Sequence, residues 1–561
     1  MGFARTLLVL LIALSSACSH PPRSAIGKLP HAAIASAHPL ATEAGMQTLA
    51  QGGNAFDAAV TVAAVLAVVE PYSAGMGGGG FWLLRDADGK SVFVDAREKA
   101  PFAASRDMYL DKKGDIRPDA SVNGALAAAI PGQAAAFAHI AEHYGRLPLG
   151  QTLAAAIRYA EEGFTTDSHY QTLAQFRLSA LQADKTSAGI FLDAGQAPAA
   201  GFQVRQPALA KTLRLLAEQG HNGFYAGETA QKLIADVRSN GGIWQNADLS
   251  SYSVVEREPL VGEYQGYRIT TAPPPSSGGI AILAMFNMLT QFDWMKLPRS
   301  EQVHLLSEIM RRAYRDRAEF LGDPDYVPVP VERLTNPAYN QTQAASIDMQ
   351  KATSSRDMGT PMAMQEGFHT THFSIIDRDG NAVSATLSIN LPFGSAFTSA
   401  ATGVLLNNEM DDFSAKPGVP NAYGLVGNEA NAIAPGKRPL SSMSPSFIEN
   451  ENSLAIIGTP GGSRIISMVW LGMLEYIQGN PVQDWVAAPR FHHQYLPDAI
   501  QHEPDTFDDA EQQALMAKGH VLLGTGRRYG NMQAILVNKR TLQVQAASDP
   551  RAVGKALVQP E

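Results

Sequence analysis

The stretch that most constrains this chain starts at Thr370 and ends at Asn390, reading T-T-H-F-S-I-I-D-R-D-G-N-A-V-S-A-T-L-S-I-N. Its alternation of apolar and small polar residues predicts a strand over 372–376, a turn over 377–381 and a return strand over 382–389. Gly380 supplies the positive φ that a tight hairpin needs. Residues 344–369, by contrast, are rich in Ser, Thr, Met and Gln and follow no period. A patternless segment that runs straight into the first residue of a core strand points to a chemical use for the start of that strand. The expectation is a cut between His369 and Thr370, with Thr370 as a new N-terminus.

Composition narrows the class. With 561 residues, 45% hydrophobic and 17% charged, the chain has ample material for a large core, and length alone would suggest about three or four domains. A net charge of −9 and the lack of a Lys/Arg run interleaved with aromatics argue against a general nucleic-acid binder. The N-terminus has Arg5, an apolar run over 6–14 and then Ser15-Ser16-Ala17-Cys18, the pattern of a secretory signal. The run is too short to stay in a bilayer as a spanning helix. Cys18, the single cysteine, stands where a bacterial lipoprotein is lipidated; the alternative is an ordinary signal cut with Cys18 incidental. Either way the expected location is periplasmic or secreted, with no disulfide needed. Residues 19–35 read as a tether.

Further along, Asn54 is placed to cap a helix that is apolar on nearly all sides and ends at Glu70-Pro71. Gly77–Gly80 precede a strand, not a helix, and no Gly-Lys-Ser/Thr occurs, so close backbone packing is a better account than a phosphate loop. Arg97, at a strand end, is either a structural ion pair or an anion receptor. Residues 246–252 read as loop. Arg311, Arg312, Arg315 and Arg317, on a helix over 300–321, read as a solvated, ion-paired face. Glu409, Asp411 and Asp412 cluster after a strand without the spacing of a calcium loop. The long loop 417–437, with Tyr423, suggests a lid. Gly461 and Gly462, before a helix, can aim backbone N–H groups at an anion. His492 and His493, adjacent on an extended segment, would point to opposite faces, which favours structural roles over a metal site. No metal or cofactor is expected.

Taken together these stretches resemble the γ-glutamyltransferase (glutathione hydrolase) family of N-terminal-nucleophile hydrolases, above all its bacterial branch. The matching runs are G-G-N-A-F-D-A-A from Gly52, the glycine run before Phe81, Arg97-Glu98, Pro275 to Gly279, Thr370 to Asn390, Leu405 to Lys416, K-R-P-L-S-S-M-S-P from Lys437, Gly458 to Arg464, A-P-R-F-H-H from Ala488, and Ser548-Asp549-Pro550-Arg551. The resemblance spans nearly all of 35–552. It implies an α+β fold, a four-layer αββα sandwich forming one compact unit, made by self-cleavage into a large chain 36–369 and a small chain 370–561 that remain a heterodimer.

The chemistry implied is γ-glutamyl transfer. A threonine hydroxyl is a weak nucleophile that needs a base. A freed α-amino group, with an ordinary pKa of roughly 7.7–8.0, can serve near neutral pH. In the uncut chain that nitrogen is an amide, so the cut creates the catalyst. Thr370 would attack the γ-glutamyl amide of glutathione or a related compound and pass the acyl group to water, an amino acid or a dipeptide. By resemblance, Ser388 would bond to Thr370, and Gly461 and Gly462 would hold the oxyanion. Arg97, Ser441 and Ser442 would take the substrate carboxylate, Asn390, Glu409 and Asp412 its ammonium, and Tyr423 would sit on the lid. Bacterial relatives commonly carry Gln at the place of Glu409 and often Thr at that of Ser388. The alternatives on the same fold are a cephalosporin (glutaryl) acylase and a poly-γ-glutamate-cleaving enzyme. A non-catalytic periplasmic lipoprotein that binds γ-glutamyl compounds is a third.

Overall fold

The computed structural model describes residues 25–358, 370–416 and 418–560; Cys18 and His369, on which the expected lipidation and cut depend, lie outside them. In chain order, β1 (Ala33–Ser36), β2 (Gly79–Arg85), β3 (Ser91–Ala96) and β4 (Val255–Arg257) enter one sheet, and β5 (Leu260–Tyr264) and β6 (Tyr267–Thr271) enter a second. Next, β7 (Thr371–Ile376) and β8 (Ala382–Ser388) return to the first sheet. β9 (Ser446–Glu449), β10 (Ser453–Gly458), β11 (Gln533–Asn538) and β12 (Val544–Ser548) extend the second, and β13 (Lys555–Val558) closes on the first. The seven-stranded order is β13-β1-β7-β8-β2-β3-β4 and the six-stranded order is β12-β11-β10-β9-β6-β5, with antiparallel pairing throughout both. The expected hairpin, β7–β8, is therefore the middle of the first sheet.

Period-2 patterning explains the layers. Every residue of β2 is buried; Trp82 and Leu84 join one apolar cluster and Phe81 and Leu83 the other. α1 (Pro39–Ala50) and α2 (Ala55–Val69) cover the outer face of the first sheet. α3 (Gly278–Leu289), α4 (Arg299–Phe320) and α5 (Ile465–Ile477) belong to the cluster of the second. This is the four-layer αββα sandwich. α2 is buried on all sides, and its start is fixed as expected: Asn54 Oδ1 accepts from Phe56 N and Asp57 N, while Asp57 accepts from Asn54 N at 2.9 Å. Between the two sheets lies a polar seam. His372 bonds to Thr386 at 2.8 Å, and Ser374 and Ser384 donate to the carbonyls of Gln533 and Ile457 across it. Burial pushes the His372 imidazole down to about 3, so it stays neutral.

Three expectations are corrected. The stretch 19–35 does not remain a tether to its end: Ile26 and Leu29 are buried, and β1 lies between β13 and β7, because A-A-I-A is apolar enough to be an inner strand. Within 246–252, Asn246–Ser250 is a short helix closed by Asp248 bonding back to Gln245 N. The α4 arginines are not a solvated face. Arg311, Arg312 and Arg317 are buried and Arg315 is partly covered. Glu308, itself buried, accepts from Arg311 at 3.1 Å, Arg312 at 2.7 Å and Thr353 N at 3.1 Å. That network also reaches Ser355 through Arg311 and Asp498, so Ser346, Thr353 and Ser355 in the patternless stretch are held in place.

Burial pushes the Glu308 carboxyl up, but Arg311, Thr353 and Arg312 outweigh it and bring the group from 4.5 to about 2. A depressed carboxylate contributes stability that is full above pH 4.5 and is lost as pH falls through about 2. Glu308→Gln is expected to cost about 3–5 kcal/mol at neutral pH by leaving two buried guanidinium groups short of a counter-charge. In thermal melts, the gap to wild type should narrow between pH 4.5 and pH 2. A gap that stays constant over that window would refute the assignment.

Candidate active site

Thr370 immediately precedes β7 and is buried. Its hydroxyl donates to Ser388 Oγ, at the end of β8, at 3.4 Å, and Ser388 Oγ accepts from Asn390 N at 2.8 Å. Asn390 stands at φ 71°, a left-handed conformation that Asn tolerates better than most side chains. Its Nδ2 donates to the Asn408 carbonyl at 2.9 Å, and its Oδ1 is buried without a partner. The glycine run before β2 lets these strand ends crowd together. A Cβ on Gly77 would lie 2.1 Å from the Leu405 carbonyl oxygen, and one on Gly78 2.2 Å from that of Ser388.

Arg97 follows β3 and is 1% exposed. It bonds to the Glu409 and Asp412 carboxylates, donates to the Pro439 and Leu440 carbonyls at 3.2 and 3.3 Å, and lies 3.5 Å from Glu98. Burial alone would lower this guanidinium, but Glu409, Asp412 and Glu98 reverse the effect and raise it. The carboxylates respond to the same crowding. Burial first, and then the Glu98 charge, push Glu409 well above the usual range against the pull of Arg97, and burial raises Asp412 as well. Glu409 Oε2 is buried without a partner.

These groups meet in one small cavity, about 20 Å³, whose wall includes Thr370, Ser388, Asn390, Arg97, Glu409, Asp412, Tyr423, Ser441, Ser442 and Gly462. Gly461 and Thr370 also line a second cavity. Residues 41–559, which contain every one of these positions, match the family described as gamma-glutamyltranspeptidase. The chain belongs to the gamma-glutamyltranspeptidase family. It is similar to the glutathione hydrolase proenzyme of Escherichia coli K12, 41% identical over 95% of this chain and 92% of that one. The glutathione hydrolase proenzyme of Pseudomonas aeruginosa is 42% identical over 94% of each. Among solved structures, a cephalosporin acylase from Bacillus halodurans superposes with a TM-score of 0.83 at 27% identity, covering 98% of this chain and 99% of that one. The frame is thus shared by gamma-glutamyltranspeptidases and an acylase, and discrimination falls to the pocket.

In this gamma-glutamyltranspeptidase chain Tyr423, from the long loop, lies against the cavity. The Tyr423 hydroxyl donates to the Asn390 carbonyl at 2.8 Å, and its ring closes on Gly462: a Cβ there would come within 2.4 Å of two ring carbons. Gly461 and Gly462 stand at φ 142° and 57°, conformations that suit glycine and leave the turn before α5. Ser441 Oγ accepts from Met443 N at 3.1 Å, and Ser442 Oγ accepts from Arg317 at 3.3 Å. Arg317 is a pocket residue that the sequence reading missed. It also donates to Ser277 at 3.0 Å, and burial lowers it to about 10 although Tyr314 and Asp412 pull it up. A signal existed: Val303, Leu306, Met310 and Ala313 form a helical stripe, and Arg317 is its next member. His492 and His493 are both buried, one between Ser467 and Gln494 and the other 3.4 Å from Asp498.

Proposed function

We propose that this chain is a γ-glutamyl-transferring hydrolase, with glutathione as a donor, that activates itself by cutting between His369 and Thr370. The observation that carries this reading is the position of the Thr370 hydroxyl, bonded to Ser388, in the same cavity as a buried guanidinium and two buried carboxylates. An α-amino acid head presents a carboxylate and an ammonium on one carbon, so its receptor must place a cation and anions side by side. Without substrate those receptor groups neutralise each other. With it, the substrate carboxylate takes over Arg97, supported by Ser441 and Ser442. The ammonium is drawn to Glu409, Asp412 and the unpartnered Asn390 Oδ1. The γ-carbonyl then faces Thr370.

The freed amino group of Thr370 takes the proton of its own hydroxyl, Oγ attacks the γ-carbonyl, and the oxyanion is held by the N–H groups of Gly461 and Gly462. Cys-Gly leaves when glutathione is the donor, its nitrogen taking the proton held by the Thr370 amino group as the C–N bond breaks. Water or an amine then takes the acyl group. The leader 1–18 would deliver the enzyme to the periplasm, with Cys18 as a lipid anchor.

Competition between γ-glutamyl- and glutaryl-p-nitroanilide tests the donor class, because the two differ only in the α-ammonium. The γ-glutamyl compound is expected to be favoured in kcat/KM by roughly 10²-fold or more, the worth of a buried charged hydrogen-bonded group. Equal or reversed preference would transfer the chain to the glutaryl acylases.

A further inference from the structure

Two buried guanidinium groups border the donor cavity, and they differ in what balances them. Arg97 meets three carboxylates, those of Glu98, Glu409 and Asp412. Arg317, in the last turn of α4, is 5% exposed and lines the same cavity. Its Nε donates to Ser277 Oγ at 3.0 Å and its Nη2 to Ser442 Oγ at 3.3 Å. Among the described residues no carboxylate lies within ion-pair distance of it, and nothing accepts from its Nη1. Other buried arginines have a counter-ion at hand: Arg311 and Arg312 share Glu308, and Arg490 has Asp549 at 2.5 Å. Holding a cation in a buried site without a counter-charge is costly. A site that binds an anion recovers that cost when the ligand arrives.

The surroundings of Arg317 aim it at such an anion. Ser277 Oγ, which accepts from Nε, donates onward to the Ser441 carbonyl at 2.7 Å, so the guanidinium also fixes the backbone that carries both pocket serines. Ser442 Oγ accepts from Nη2, which leaves its own proton to donate into the cavity. With three carboxylates already at Arg97, a fourth arriving with the substrate needs more positive charge than Arg97 supplies. We propose that Arg317 is the second cation of the donor site and a specificity residue for the α-carboxylate: it orients the Ser442 hydroxyl toward that group and balances its charge. A γ-glutamyl group is thereby selected over the same acyl group without its carboxylate. This rests on the γ-glutamyl-transfer reading above. Arg317 does not separate γ-glutamyl from glutaryl donors, which share the carboxylate; that separation falls to the ammonium end of the pocket.

The test compares γ-glutamyl-p-nitroanilide with 4-aminobutyryl-p-nitroanilide, which keeps the ammonium and lacks only the carboxylate, in the processed enzyme. Arg317→Gln is expected to raise the γ-glutamyl KM about tenfold, the worth of a hydrogen bond to a charged group, with kcat changed much less. Its preference for γ-glutamyl over 4-aminobutyryl in kcat/KM should fall by the same factor. Ser442→Ala should cost less in the Arg317→Gln background than in wild type, because the two side chains act on one carboxylate. Saturating L-glutamate should raise the melting temperature of wild type by more than that of Arg317→Gln. Arg317→Lys keeps the charge without the planar fork, so its donor preference should lie between the two. It carries the comparison if Arg317→Gln is not cut into two chains. A wild-type donor preference in these variants, or KM values that rise equally for both donors, would overturn the proposal. Additive losses for Arg317→Gln and Ser442→Ala would remove the link through Ser442. A wild type that releases no p-nitroaniline from the γ-glutamyl compound, or that prefers the glutaryl one, would instead overturn the reading on which the proposal rests.

Discussion

Thr370→Ala is expected to run as one uncut chain on a denaturing gel and to show no turnover of γ-glutamyl-p-nitroanilide, whereas wild type runs as two chains. N-terminal sequencing of the smaller wild-type band should begin at Thr370. Both losses have one cause, because the hydroxyl that attacks the preceding carbonyl in the precursor is the one that attacks the donor afterwards. The fold should survive. Thr370 sits before β7, not within the ladder, and its hydroxyl bond to Ser388 is long at 3.4 Å. Thr370→Ser keeps the oxygen and should still give two chains, more slowly, since its rotamer is less restricted. A wild-type protein that remains one chain and is nevertheless active would end the mechanism.

Arg97→Ala is expected to be the most damaging change that leaves the nucleophile in place. It would leave Glu98, Glu409 and Asp412 together in a buried pocket with their guanidinium gone. Removing one partner of a buried charge network costs about 3–5 kcal/mol of stability. Donor kcat/KM should fall roughly 10²–10³-fold as the carboxylate loses its receptor. Arg97→Lys separates the two effects. It keeps the charge, so the melting temperature should recover, but a point charge cannot reach Glu409, Asp412 and the two backbone carbonyls at once. KM should therefore stay high. Arg97→Lys with the donor KM of wild type would remove Arg97 from the binding role.

The parts of the molecule that depend on neighbours in sequence were legible beforehand. The hairpin was placed to within a residue, with 372–376 expected and Thr371–Ile376 found, because alternation and a glycine turn are local signals. The Asn54 cap was equally local. What misled was pairing at a distance. Four arginines on one helix look like a wet surface until Glu308, on the same helix, and Ser346, Ser355 and Asp498, beyond it, are seen to absorb the hydrogen-bonding arrays of two of them, Arg311 and Arg312. The pocket followed the same rule. Arg97, Glu409 and Ser441 could each be named as a candidate, but that the cation and the carboxylates neutralise each other in the empty site depends on three remote segments meeting.

The order of strands in the first sheet bears on what happens after the cut. β7 and β8 come from the segment after Thr370, yet they are inserted between β1 and β2, which precede it, and β13 returns to pair with β1 from the far end. The two products of a cut at that point are therefore interleaved threads of a single fabric. Neither possesses either of the two large sheets alone, so neither could be withdrawn without dismantling the other. Mixed preparations of labelled and unlabelled enzyme should not trade chains under native conditions, and heating should give one cooperative transition for both.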